Sequence, residues 1–171
     1  MTVALRVAPL ILVGALLQVS AFGSDRIVGA ELDVLFLVVI AVGLLRGSTV
    51  GACAGFAGGL LVDVMTLDTL GVTSLLLTLV GFWAGRYGET TGRGRRYAPP
   101  LAAFALTLVA GVAGAMLHFL LGDAVPVGAV FGPLIPTAIL SALLVLPVRR
   151  LCRAVVGETM VLERARDVEL V

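Results

Sequence analysis

The apolar segments of this chain constrain its fold more than any other feature, because several of them are close to 20 residues long. That is the length a helix needs to cross a hydrocarbon layer of ~30 Å. Only 13% of the residues are charged and 60% are hydrophobic, whereas a water-soluble domain carries roughly a quarter charged residues. We therefore predict an all-α integral membrane protein, a compact bundle of about six transmembrane helices. The predicted spans are residues 7–23, 31–46, 48–65, 70–85, 99–121 and 127–147.

The bundle is predicted to occupy residues 1–153, followed by a flexible, solvated cytoplasmic tail at 154–171. The segment at 31–46 is short, so its ends must lie at the interfaces or the bilayer must thin locally. Pro133 and Pro136 predict an irregular start to the last span, with regular helix from about Pro133 onwards.

The arginines are distributed unevenly along the chain and predict its orientation. There are twelve arginines and no lysine, and when the spans alternate in direction eleven arginines fall on one side. Arginine excess marks the cytoplasmic side, so both termini are expected there. A cleaved signal peptide over residues 1–21 is the less favoured reading, because the apolar run is too long for one. The basic residues assigned to topology and to attraction of anionic membrane lipids are Arg46, Arg86, Arg93, Arg95, Arg96, Arg149, Arg150 and Arg153.

A row of glycines leads to an acidic residue in the third segment. Gly51, Gly55 and Gly59 are four residues apart, and Asp63 is the next residue in that row. Residues four apart lie on one ridge of a helix, and small residues there let another helix approach closely. Asp63 is therefore expected to face protein. Two readings stay open: a hydrogen-bonding or partner-docking position, or a hydrated end of the helix at the interface.

Four sequence motifs between residues 31 and 86 resemble the bacterial rod shape-determining protein MreD family. The most specific is a glycine-rich helix that ends Gly59-Leu60-x-x-Asp63, followed seven residues later by Leu70-Gly71 and a further span. The others are Asp33-Val34-Leu35, Leu45-Arg46-Gly47 and Gly81-Phe82-Trp83-Ala84-Gly85-Arg86.

The resemblance implies a non-enzymatic subunit of the cell-elongation machinery, which works with MreC, with RodA and its partner transpeptidase, and with MreB as a further contact. It also implies a fold like that of the S components of energy-coupling factor transporters. We expect the carboxylate of Asp63 to accept hydrogen bonds from backbone N–H groups around the Leu70-Gly71 turn. The residues expected to have a structural or partner-contact role are Asp33, Gly51, Gly55, Gly59, Asp63, Leu70 and Gly71.

Catalytic, metal-binding and cofactor-binding patterns are not recognisable in the sequence. His118 is the single histidine and has no ligand cluster beside it, and Cys53 and Cys152 lie in separate segments. We therefore expect no enzyme, metal or cofactor. The alternative function is the substrate-binding S component of a vitamin transporter. Its outer pocket would be lined by Gln18, Asp63, Asp68, Thr73, His118 and Asp123.

Overall fold

Six α-helices and no strand make up the part of the chain that the structure, a computed structural model, describes. The described residues are 2–21, 33–67, 69–91, 98–122 and 127–156. The helices are α1 (Thr2–Ala21), α2 (Val34–Arg46), α3 (Ser48–Thr66), α4 (Val72–Thr90), α5 (Ala98–Leu120) and α6 (Val127–Val156). The all-α fold class predicted from the apolar segments is confirmed.

Helix α2 lies at the centre of the bundle. Every residue from Leu35 to Arg46 is buried, and α2 contacts each of the other five helices. Its 13 residues rise only about 20 Å, less than the ~30 Å of a hydrocarbon core. The span predicted at 31–46 is therefore a shorter helix enclosed by protein. The sequence did not reveal this because an apolar run looks the same whether protein or lipid covers it.

Three helices are long and apolar enough to cross a membrane, as judged over the described residues: Ser48–Thr66, Pro99–Leu120 and Gly132–Ala154. In the last two, only 17% of the most apolar window is buried inside the protein. Large aliphatic and aromatic side chains on these helices are exposed, among them Leu101, Phe119 and Leu143. A continuous apolar surface of this kind is stable against lipid but not against water. Together with its composition, this makes the chain a membrane protein.

Several helices differ from the predicted spans in extent or regularity. Helix α4 was expected to end at residue 85, but it continues to Thr90, so the first part of the expected basic loop is helical. Helix α6 is continuous from Val127, although Pro133, Pro136 and Pro147 lie inside it, so the predicted irregular start is wrong. Prolines are tolerated in membrane helices because neighbouring helices, hydroxyl side chains and small backbone adjustments satisfy the groups they free.

Apart from Arg6 on α1, the arginines that the structure describes lie towards the C-terminal ends of α2, α4 and α6. Arg46 is buried at the end of α2, where a positive charge is favourable beside the carbonyl end of a helix. Arg86 lies exposed on α4. On α6, Arg149 is half-buried, and Arg150 and Arg153 are exposed. Helix α6 ends at Val156, within the expected tail; Arg93, Arg95, Arg96 and residues 157–171 lie outside the described residues.

Candidate functional site

Helices α3 and α4 form the most extensive helix contact in the bundle, and the glycine row of α3 is the surface that makes it. A Cβ atom added to Gly55 would overlap the backbone carbonyl of Leu77, and one added to Gly51 would overlap the carbonyl oxygen of Gly81. The two backbones are therefore in direct contact. No side chain larger than hydrogen fits at these positions unless the helices move apart.

The row of α3 meets a second row of small residues on α4. A Cβ on Gly81 would overlap the carbonyl oxygen of Gly51, and one on Gly85 would overlap the backbone of Ser48. Gly81 and Gly85 were not among the residues predicted to make this contact. Their four-residue spacing was the signal that could have identified them.

Asp63 lies at the end of this contact and is completely buried. Its Oδ2 accepts hydrogen bonds from the backbone N–H of Gly71 at 2.8 Å and of Ser74 at 3.3 Å. The first N–H groups of a helix have no partner within the helix, and Gly71, the N-cap of α4, has no side chain to offer. Asp63 therefore caps α4 from the neighbouring helix. Its negative charge is also favourable beside the positive end of the α4 dipole.

Ser74 adds a second polar link across the same end of the helix pair. It is buried, and its Oγ donates to the carbonyl oxygen of Phe56 on α3 at 3.2 Å. Asp63 on α3 thus accepts hydrogen bonds from the start of α4, and Ser74 on α4 donates one back to α3. Ser74 was not among the predicted site residues, since a lone serine in an apolar segment gives no spacing signal.

The opposite end of the helix pair has a carboxylate in the equivalent role. Glu89, near the end of α4, accepts hydrogen bonds from the backbone N–H of Ser48 at 2.8 Å and from its hydroxyl at 3.1 Å. Gly47 is the N-cap of α3 and makes no side-chain cap. Glu89 therefore caps α3 as Asp63 caps α4, but in an exposed position.

The turn between α3 and α4 is held in an unusual backbone conformation. Leu67 ends α3 with a φ of 55°, a left-handed conformation that is uncommon for residues other than glycine, and Gly71 has a φ of 100°. The side chains of Leu67 and Leu70 are 92% and 68% exposed. Leu70 therefore does not pack inside this protein, whereas the backbone of Gly71 supplies the donor for Asp63. Asp68 lies outside the described residues.

Replacement of Gly71 by alanine tests the conformational requirement alone. No atom of the described residues lies within 4 Å of a Cβ placed there, so the substitution introduces no clash with them. A left-handed conformation costs a residue with a Cβ roughly 1–2 kcal/mol, and we expect Gly71→Ala to lower the free energy of unfolding by about that amount. Denaturation in detergent, followed by circular dichroism, measures it. Gly132→Ala is the matched control, because its Cβ also has open space and its φ is ordinary; equal stability of the two variants would contradict the prediction.

Asp33 has a local role on a different helix. It is the N-cap of α2, and its Oδ1 accepts a hydrogen bond from the N–H of Phe36 at 2.9 Å. The acidic residue that opens this segment therefore fixes where the central helix begins.

A groove of about 600 Å³ runs between α1 and α3. Its lining is almost entirely aliphatic, with Val7, Ile11, Ala54 and Leu61 among the residues. Asp63 does not line it and points into the α4 backbone instead. Of the six residues expected to line the polar outer pocket of a transporter, Asp68, Asp123 and the side chain of Gln18 lie outside the described residues.

The sequence of this chain matches one known protein family over almost its whole length. The family model described as "rod shape-determining protein MreD" matches residues 2–155. The chain belongs to the MreD family. The match includes nearly all of the six helices and the whole of the α3–α4 pair, so it extends well beyond the motifs that carried the resemblance. Neither a curated protein nor a solved structure matches the chain.

Proposed function

We propose that this protein is a non-enzymatic membrane subunit of the bacterial cell-elongation complex. In this role it helps to assemble MreC with the peptidoglycan-synthesis enzymes, RodA and its partner transpeptidase, with MreB as a further contact. The observation that carries the proposal is the family match over residues 2–155. The direct backbone contact between α3 and α4 suits such a role, because a preorganised surface loses less conformational freedom when it binds a partner.

The proposal places the bundle in the inner membrane with both termini in the cytoplasm. Its support is the position of the basic residues: Arg46 lies in the last turn of α2, and Arg86 lies in the C-terminal part of α4, which ends at Thr90. These two ends are neighbours, because a Cβ on Gly88 of α4 would lie 2.8 Å from the carbonyl oxygen of Leu44 on α2. Arginines gathered at one end mark the cytoplasmic side. The six-span arrangement and the likeness to the S-component fold are part of the same proposal.

Affinity capture from mildly solubilised membranes tests the partner assignment. We expect the tagged full chain to retain MreC, and RodA with its transpeptidase, at levels at least about tenfold above those captured by an unrelated multi-pass membrane protein with the same tag. Such a ratio corresponds to about 1.4 kcal/mol of preferential binding. Capture of an energy-coupling module in place of these proteins would contradict the proposal.

A matched variant distinguishes specific binding of the partners from their co-purification in the same detergent micelle. Gly59→Leu alters the α3–α4 contact, because a Cβ at this position would overlap Ser74, but it leaves the lipid-facing surfaces of α5 and α6 unchanged. We expect this variant to lose partners at equal protein level. Equal recovery with the variant and the wild type would indicate that capture does not depend on the folded helix pair.

A further inference from the structure

At each end of the α3–α4 pair, a carboxylate from one helix caps the start of the other helix. The same residue pattern precedes both carboxylates in the sequence. On α3 the row is Gly55, Gly59 and Asp63; on α4 it is Gly81, Gly85 and Glu89. Each row has a spacing of four and ends on a carboxylate that caps the partner helix. In an antiparallel pair, the end of one helix lies beside the start of the other, so one pattern repeated on both helices provides a cap at each end.

The two caps differ in their exposure to water. Asp63 is completely buried, and loss of its bonds would leave a buried N–H group at Ser74 and a part-buried one at Gly71 without partners, which is costly. Glu89 is exposed, so water can replace either partner when its bonds to Ser48 break. The free energy needed to open an exposed cap is correspondingly smaller, and local opening concentrates where hydrogen bonds are exposed.

We infer that Glu89 is a second positioning carboxylate of the helix pair and that the pair is a hinge, held closed at the Asp63 end and able to open at the Glu89 end. The backbone at the opening end supports this. Gly47, the single residue between α2 and α3, has a φ of 95°, and a Cβ there would lie 2.6 Å from Oε1 of Glu89. Glu89 therefore sits against the corner where α2 turns into α3, and its release frees that corner. This inference does not rest on the proposed function.

Hydrogen–deuterium exchange of the full chain in lipid nanodiscs, resolved to single amides, tests the inference. In the wild type we expect the amide of Ser48 to exchange at least about tenfold faster than those of Gly71 and Ser74. Glu89→Ala should raise the exchange of Ser48 by about three- to tenfold, the range expected for loss of one exposed hydrogen bond, and should leave Gly71 unchanged. Glu89→Gln retains an acceptor oxygen and should give a smaller rise.

Two controls complete the design. Thr90→Ala removes a neighbouring hydroxyl that, among the described residues, donates to the carbonyl oxygens of Arg86 and Tyr87 in its own helix, and it should leave Ser48 at the wild-type rate. Asp63→Asn should raise exchange at Gly71 and not at Ser48. The inference is overturned if Ser48 is as slow as Gly71 in the wild type, if Glu89→Ala leaves Ser48 unchanged, or if Glu89→Ala speeds exchange equally along the whole bundle.

Discussion

Replacement of Asp63 by leucine should abolish rod shape, and replacement by asparagine should largely preserve it. Leucine removes the acceptor for the part-buried N–H group of Gly71 and for the buried N–H group of Ser74. Each buried donor left without a partner costs about 1–3 kcal/mol, so Asp63→Leu should destabilise the helix pair by roughly 2–5 kcal/mol. Asparagine keeps one acceptor oxygen with nearly the same shape, and we expect it to cost only about 1–2 kcal/mol.

The measurement is complementation of a depletion strain, scored by cell width, with the protein level checked by blot. We expect rounded cells with Asp63→Leu and near-normal rods with Asp63→Asn. Val64→Leu is the control for added apolar volume on the same turn of α3, because Val64 is 57% exposed; it should behave as the wild type. Equal loss of shape with leucine and asparagine at normal protein level would show that the charge itself acts, as in a proton or ion site, and would refute the structural role.

The substitution Gly55→Ala should be among the most damaging single-methyl changes in the protein. The added Cβ would overlap the carbonyl of Leu77, and a backbone atom cannot move aside as the tip of a side chain does. Overpacking of a tight contact costs about 1–3 kcal/mol and sometimes more, so we expect a loss of roughly 3 kcal/mol. This exceeds the gain of about 1 kcal/mol that alanine brings to a helix interior in place of glycine.

Gly114→Ala on α5 is the matched control, because it is the same chemical change in a helix of the same bundle. Its Cβ would lie 3.5 Å from Cδ1 of Leu76, an ordinary contact, so the gain in helix propensity should dominate and stability should stay equal or rise slightly. Thermal unfolding in detergent measures both variants. A melting temperature for Gly55→Ala that equals that of Gly114→Ala would mean that α3 and α4 are not in backbone contact.

The sequence by itself determined the all-helical membrane architecture and one half of the helix contact. Apolar segments of the right length leave few alternatives, because every backbone group in lipid must be satisfied within a helix or a closed barrel. The row from Gly51 to Asp63 was equally readable, since four-residue spacing places small residues on one ridge of a helix whatever packs against it.

Only the tertiary structure decided which surface meets that ridge and which apolar helix lies inside the bundle. Gly81, Gly85 and Glu89 have the same spacing as the row on α3. Their role nevertheless depends on α4 continuing to Thr90, past the point where the apolar run ends. The central place of α2 was also hidden, because burial by neighbouring helices and burial by lipid select the same apolar residues. The hydropathy of a segment indicates that its side chains are removed from water. Whether protein or lipid then surrounds them depends on how the helices pack.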